Sequence, residues 1–145
     1  MRIINDFRMT IDSKSINEGF SRSAVAAFAA QLDPTLDELS DIKMAVSEAV
    51  TNCIVHAYPD CVGKIYIYAA ILEDRKIKIS VRDKGCGIID VKQAMEPLFT
   101  TLGGERAGLG FAVMESFTDK ISVRSQVGKG TTVTMYKRIN GRASS

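Results

Sequence analysis

The chain has 145 residues, with 19 Lys and Arg against 17 Asp and Glu, and a formal net charge of +2. This length fits one domain with a full core. The small net charge argues against a nucleic-acid-binding protein that depends on an overall basic surface, but it does not exclude a local basic patch. No signal peptide, membrane-length apolar run or C-x-x-C pair is present, so we expect a cytoplasmic protein with reduced thiols and no membrane contact.

The N-terminal segment predicts a strand and then a helix. Asn5–Ile11 alternates between apolar and polar residues, which is typical of a half-buried strand. Ser15 and Glu18 have the spacing of a capping box, so a helix is expected over Ile16–Leu32. The many alanines of this helix favour close packing against a neighbouring surface.

A long helix is predicted from Thr35 to Tyr58. Thr35 and Glu38 form a second capping box, and Pro59 ends the helix. Apolar residues recur at helical spacing, so one face is buried. Beside that face lie three polar side chains, each four residues from the last: Glu48, Asn52 and His56. Such polar groups need hydrogen-bonding or ionic partners. The partner is either a metal with a polar ligand, or solvent if the three side chains form an exposed stripe at the edge of the buried helix face.

The rest of the chain predicts four more strands and two short helices. The expected elements are strands Lys64–Leu72 and Lys76–Arg82, helix Asp90–Met95, loop Glu96–Gly108, helix Phe111–Phe117, strands Ile121–Ser125 and Thr131–Lys137, and a disordered tail over Gly141–Ser145. The fold class is therefore α/β: a two-layer sandwich with a mixed, mostly antiparallel sheet and helices on one face.

A second polar cluster follows the strand that ends at Arg82. The Asp83 carboxylate can accept a hydrogen bond from an exocyclic amine in a pocket. Gly85 and Gly87 let the backbone approach a ligand closely, with Cys86 between them. A plain turn is the alternative, because D-x-G is common in turns.

Two glycine-containing motifs complete the set. Gly108 and Gly110 open the predicted Phe111 helix, where backbone N–H groups can bind an anion. Their spacing matches neither a dinucleotide fingerprint nor a P-loop, so the motif alone is weak evidence. The G-T-T sequence that contains Thr132 enters the last strand, and an ordinary hairpin entry is its alternative reading.

The order of these motifs resembles the nucleotide-binding domain of the GHKL superfamily over nearly the whole chain. The motifs are E-x-x-x-N on a long helix, D-x-G-x-G, G-x-G at a helix and G-T-T in the last strand. The stretches VSEAVTNCIVHAY, EPLFTT, ERAGLGF and MESFTDKISVRSQVGKGTTV are more closely similar to the bacterial anti-sigma factors that are also serine-protein kinases, above all those of sporulation. The resemblance implies a single GHKL (Bergerat) ATP-binding domain over residues 1–145.

The resemblance also implies cofactors and roles. ATP or ADP binds with Mg²⁺, which takes Asn52 as its protein ligand, while Glu48 acts as general base and Asp83 reads adenine. Arg106 contacts the γ-phosphate and takes part in catalysis. The residues expected to contact the nucleotide are Asn52, Asp83, Gly85, Gly87, Thr100, Thr101, Arg106, Gly108, Gly110 and Thr132.

Protein partners follow from the same resemblance. They are a sporulation sigma factor of the sigma F type, which is bound and inhibited, and an anti-anti-sigma protein, which is inactivated by phosphorylation of a serine. A second copy makes a homodimer through the first strand and helix, and Arg22 contacts the partners unless it is simply a solvated surface residue. The alternatives are an anti-sigma kinase of a stress-response sigma factor and a free-standing GHKL ATPase with another partner. No direct nucleic-acid contact is expected.

Overall fold

The structure is a computed structural model that describes residues 2–85 and 104–142, with backbone only for residues 104–109. Its elements are β1 (Ile3–Asp12), α1 (Ile16–Ala29), α2 (Leu36–Asn52), β2 (Lys64–Leu72), β3 (Lys76–Asp83), α3 (Gly104–Phe117), β4 (Lys120–Gln126) and β5 (Gly130–Arg138). Short 3₁₀ turns follow α1 and β2, and a π-helical turn, Cys53–Ala57, follows α2. The predicted helix Asp90–Met95 lies outside the described residues.

The five described strands form one sheet in the order β1-β2-β3-β5-β4. Every neighbouring pair is antiparallel, so the expectation of a mixed sheet is corrected, while the α/β two-layer class with helices on one face is confirmed. All five strands were predicted within two residues of their ends. β1 and β3 were found from period-two alternation, and β2 from its run of apolar, β-branched and aromatic residues, several of which are buried in succession.

The core lies between the sheet and the two long helices. The largest buried side chains come from facing positions on α2 and the central strands, and include Ile42, Val46, Ile67, Ile79 and Val81. Each contributes about 1.5–3 kcal/mol relative to an exposed position. This packing fixes α2 across the sheet, so its C-terminal end lies beside the end of β3.

The two capping-box predictions have opposite outcomes. At α2, the Thr35 hydroxyl accepts from the Glu38 N–H at 3.1 Å, and the Glu38 carboxylate accepts from the Thr35 N–H at 2.9 Å. At α1 the prediction is wrong, because Ser15 has helical backbone angles and its side chain makes no capping bond. Glu18 instead bonds Arg22 on its own helix and the Ser47 hydroxyl on α2.

Three further boundaries differ from the sequence predictions. The α-helix from Thr35 does not continue to Tyr58, because it changes to the π-helical turn after Asn52. α3 begins at Gly104, seven residues before the predicted start at Phe111. An internal glycine destabilises a helix by about 1 kcal/mol relative to alanine, and the packing of α3 on α2 offsets this cost. The tail is ordered through Arg142, whose side chain bonds Asp33 at 2.7 Å.

The Ala-rich side of α1 is not the exposed one. Val25, Ala26 and Ala29 are buried within the chain, where α1 packs on α2. Ile16 and Phe20 on the same helix are instead exposed, at 81% and 58%. Among the described residues, no helix has the length and apolar character needed to cross a membrane.

Candidate functional site

The site is built around the C-terminal end of α2. Glu48 and Asn52 are half-buried and one turn apart on the same side of this helix. Both polar atoms of the Asn52 amide are buried, and neither has a hydrogen-bond partner among the described residues. An amide left in this condition costs roughly 1–3 kcal/mol. Its placement therefore needs an explanation other than fold stability, and a ligand provides one.

α3 crosses directly over this amide at Gly110. A Cβ atom added to Gly110 would lie 2.9 Å from Asn52 Nδ2 and 3.0 Å from Oδ1. Only glycine therefore lets the two helices approach this closely at the amide. The contact places the G-x-G motif beside Asn52, as its expected role requires. However, Gly108 and Gly110 lie in helical backbone and not at the helix start.

Asp83 lies at the end of β3, beside the same end of α2. Its side chain is 6% exposed. One carboxylate oxygen, Oδ1, accepts from the backbone N–H of Gly85 at 3.0 Å and of Thr131 at 3.1 Å. The other, Oδ2, lies 3.5 Å from the Cys53 thiol. The carboxylate is thus fixed in orientation, with acceptor capacity left on Oδ2 for the amine of a ligand.

Burial is the main influence on the pKa values of this pair. It raises the pKa of Asp83, and the N–H groups of Gly85 and Thr131 and the Cys53 thiol partly oppose the shift by bonding to the charged form. Burial and the nearby Asp83 carboxylate raise the pKa of Cys53 well above its ordinary value. Cys53 is therefore a protonated thiol that can donate to Asp83, and not a reactive thiolate.

The turn after Asp83 is held against the π-helical turn. A Cβ atom on Gly85 would lie 2.4 Å from the Ala57 carbonyl oxygen, which excludes any larger residue without a shift. The Tyr58 hydroxyl accepts from the Lys84 N–H at 2.7 Å and donates to the Lys64 carbonyl at 2.8 Å. The π-helical turn and Tyr58 therefore position the Asp83 turn.

The G-T-T prediction is corrected by one residue. Thr131 lies beside Asp83 and is buried, whereas Thr132 pairs with Arg82 on the opposite face of the sheet. Alternation along β5 was sufficient to find this, because Val133 belongs to the core face and Thr131 is two residues away. Two residues that the sequence did not connect to the site, Thr131 and Cys53, thus contact its carboxylate.

The structure describes some of the remaining predicted site residues and not others. His56 is half-buried in the π-helical turn, and its structural role stays a prediction. The backbone of Arg106 and Gly108 belongs to α3. Arg22 is exposed on α1, on a different helix from Glu48 and Asn52. The predicted residues outside the described ones are Cys86, Gly87, Thr100 and Thr101.

These groups fit a magnesium-bound adenine nucleotide. Mg²⁺ keeps several waters and takes few protein ligands, and the buried Asn52 amide oxygen is of the chemical type that would serve as one such ligand. The oriented Asp83 carboxylate fits an exocyclic amine. The glycines at 85 and 110 let the turn after β3 and α3 pack closely against Ala57 and Asn52, which brings these elements together at the site. The fold and the site together are those of a nucleotide-binding domain of the GHKL type.

The chain belongs to the histidine kinase-like ATPase domain family, whose model matches residues 17–137. It is 59% identical over 140 residues to the anti-sigma F factor of Caldanaerobacter subterraneus, with 96% of this chain and 97% of that protein covered. It is 51% identical to the anti-sigma F factor of Clostridium acetobutylicum, with 92% and 94% covered. For the anti-sigma F factor of Geobacillus kaustophilus the identity is 49%, with 93% of each chain covered.

Two solved structures share the fold. The crystal structure of the RsbU and RsbW domains of Rv1364c from Mycobacterium tuberculosis superposes with a TM-score of 0.69 at 23% identity, over 93% of this chain and 32% of that one. The histidine kinase domain of the blue-light activated kinase EL346 from Erythrobacter litoralis gives a TM-score of 0.59 at 19% identity, over 86% of this chain and 60% of that one.

Proposed function

We propose that the protein is an anti-sigma factor that binds and inhibits a sporulation sigma factor of the sigma F type. The observation that carries the proposal is 59% identity, over nearly the full length of both chains, to a protein named anti-sigma F factor. The neighbouring relatives named in the same way support it. The nucleotide site described above gives such a factor a means of responding to ATP and ADP.

We further propose that the protein is a serine kinase acting on an anti-anti-sigma protein. Glu48 accepts the proton of the substrate hydroxyl, Asn52 binds Mg²⁺ and Asp83 holds adenine. When bound, Mg²⁺ neutralises charge on the phosphate oxygens. The half-buried position of Glu48, one turn from Asn52, supports its role, because a base must lie near the phosphate end of the nucleotide.

The partner surface that we propose lies on α1. Arg22 is 46% exposed and forms an ion pair with Glu18 at 3.1 Å. Glu18 also contacts Ser47 of α2, so the Arg22 side chain is held by a group anchored on the neighbouring helix. Exposed arginines held in this way are suitable anchors at protein interfaces.

A homodimer through β1 and α1 belongs to the same proposal. β1 is an edge strand, paired only with β2 among the described strands. Four exposed apolar side chains lie on these two elements: Ile3, Ile4, Ile16 and Phe20. An open edge next to apolar side chains favours pairing with a second copy.

The test is capture of a sigma F-type protein by the purified chain with Mg-ATP, with Mg-ADP and without nucleotide. We expect capture with nucleotide, stronger with ATP, and its loss in Arg22→Glu while nucleotide affinity is unchanged. Lys43→Glu on α2, which reverses an exposed charge elsewhere, should capture normally. Failure of the wild-type chain to capture sigma would reject the anti-sigma proposal, and normal capture by Arg22→Glu would reject the α1 surface.

A further inference from the structure

The face of the sheet opposite the helices is strongly cationic. Side chains that alternate outward along the strands, together with Lys84 just after β3, form this surface, which we call the cationic face. Its Lys and Arg residues are Arg8, Lys64, Lys76, Lys78, Arg82, Lys84, Lys120, Arg124 and Arg138. The described helices all lie on the other side of the sheet, as does the nucleotide site.

Charge is distributed very unevenly between the two sides of the molecule. The nine cationic residues of this face are accompanied by three acidic residues, Asp6, Asp12 and Asp119, the last beside Lys76, Lys120 and Arg138. The face therefore has an excess of six positive charges in a chain whose formal net charge is +2, and the rest of the chain is net negative. Solubility alone does not require such a separation, because surfaces of mixed sign are equally soluble.

Cationic groups on this face are positioned by aromatic rings. Three half-buried tyrosines stand among them, and each has at least one cation over its ring. The distances to the ring centroids are 4.4 Å for Arg8 over Tyr68, 5.0 Å for Lys84 over Tyr66, and 5.8 Å for Lys120 over Tyr136. Such contacts hold long side chains in extended positions and reduce the entropy lost when a partner binds.

The composition of the face limits its possible occupants. A second copy of the same face is disfavoured, since it would bring two positive surfaces together. Single-stranded nucleic acid binds sheets largely by stacking bases on exposed aromatic rings, and here the rings are covered by the protein's own cations. Carboxylates need no free ring and can pair with Lys and Arg spread over several strands.

We propose that the cationic face docks an acidic segment of a partner protein. Lys78 and Arg82 lie at its centre on β3, with outward neighbours on both adjacent strands. Asp and Glu side chains of the partner accept hydrogen bonds from these cations, and the field of the whole face attracts the segment from a distance. This docking surface lies on the opposite side of the sheet from Arg22 and from the Asp83 carboxylate, and it adjoins the nucleotide site where Arg82 and Lys84 flank Asp83 in the chain.

The experiment measures binding of a fluorescein-labelled polyglutamate peptide to the full chain by anisotropy, over a series of salt concentrations. We expect saturable binding that weakens with salt, and at least about a tenfold loss in the double variant Lys78→Glu with Arg82→Glu. The control, Lys14→Glu with Lys43→Glu, changes the net charge equally at exposed positions off the face. It should bind within about twofold of wild type.

Several outcomes would overturn the proposal. One is wild-type affinity in the Lys78 and Arg82 double variant, and another is an equal loss in the control, which would indicate overall charge and not this face. Tighter binding of a single-stranded oligonucleotide of equal charge, competing with the peptide, would make the surface a nucleic-acid site. Circular dichroism and nucleotide affinity check folding, and the neutral pair Lys78→Gln with Arg82→Gln should give an intermediate loss if the charges themselves act.

Discussion

The two ends of α2 differ in the hydrogen bonding of their polar side chains. At the N-terminal end, the Glu38 carboxylate accepts backbone N–H groups from Thr35 at 2.9 Å, Asn140 at 2.7 Å and Gly141 at 3.0 Å. At the C-terminal end, both polar atoms of the Asn52 amide are buried without a partner among the described residues. One helix thus has a carboxylate with three backbone partners at one end and, at the other, an amide with no partner among the described residues.

This difference distinguishes residues that stabilise the native state from residues that we propose bind a ligand. The Glu38 end joins the start of α2 to the chain after β5, so its hydrogen bonds stabilise the native state directly. The Asn52 end has a π-helical turn, a form that occurs frequently at functional sites. Substitutions at the two ends should therefore have opposite effects on stability and on activity.

The largest expected effect is at Glu48. Glu48→Gln should lower phosphoryl transfer to the protein substrate by about 10²–10⁴-fold, because the amide cannot accept the proton of the attacking hydroxyl. ATP affinity should stay within about twofold, since the side chains are similar in size and neither holds the nucleotide. Single-turnover transfer of labelled phosphate measures the first quantity, and calorimetry measures the second.

Glu115→Gln is the matched control for this prediction. It makes the same chemical change at an exposed position on α3 and should transfer phosphate at the wild-type rate. Equal transfer rates in Glu48→Gln and wild type would remove Glu48 as the base and leave the nucleotide site intact.

The next effect is expected at Asn52. Asn52→Ala should weaken Mg²⁺-dependent ATP binding by roughly 10–100-fold, because the ion loses its protein ligand. It should not lower the melting temperature, because an unbonded buried amide is removed. Titration of ATP with and without Mg²⁺, beside a thermal scan, measures both.

Asn5→Ala is the control, since this exposed residue of β1 bonds the exposed Gln31 side chain after α1 and does not belong to the site. It should bind nucleotide normally. A lower melting temperature in Asn52→Ala, with unchanged Mg²⁺ dependence of ATP binding, would show that Asn52 stabilises the fold. The proposed difference between the two ends of α2 would then be wrong.

A smaller effect, on stability alone, is expected at Glu38. Burial by itself raises the pKa of this carboxyl, but the N–H groups of Thr35, Asn140 and Gly141 outweigh it and hold the pKa below its ordinary value. Its stabilisation is therefore complete above the unfolded pKa and is lost as pH falls through the lowered folded pKa. Glu38→Gln should destabilise the protein by about 1–2 kcal/mol near neutral pH, with unchanged nucleotide affinity.

The pH dependence gives the sharper form of this prediction. The difference in unfolding free energy between wild type and Glu38→Gln should shrink as the pH falls below the ordinary value of 4.5. Asp37→Asn, at the exposed neighbouring position in the same first turn, should show no comparable difference. A constant difference between wild type and Glu38→Gln down to acid pH would show that the charge of Glu38 is not what stabilises this end.

The sequence predicted one end of α2 better than the other for a physical reason. The Thr35–Glu38 capping box is local, involving residues three apart, and the strands are equally local patterns of alternation. The start of α3 and the Cys53–Asp83 contact depend on packing between distant segments, which spacing does not encode. Ser15 shows the limit even for local motifs, because Glu18 finds a tertiary partner in Ser47.

The smallest effect is expected at Cys53, which belongs both to the core and to the candidate site. Its side chain belongs to the core, yet its thiol lies 3.5 Å from Asp83 Oδ2. Cys53→Ala removes the donor, so the pKa of Asp83 should rise further. Asp83 accepts an amine best when ionised, so loss of ATP affinity on acidification should begin at a higher pH than in wild type. Near neutral pH we expect a loss of only a few-fold, because S–H is a weak donor.

Cys53→Ser distinguishes this bond from simple packing. Serine is similar in size and keeps a donor, so it should restore the wild-type pH profile of ATP affinity even if it lowers stability. Alanine keeps the apolar character without the donor and should shift the profile. Identical profiles for Cys53→Ala and wild type would make Cys53 a filler of the core, and Asp83 would then be oriented by the Gly85 and Thr131 N–H groups alone.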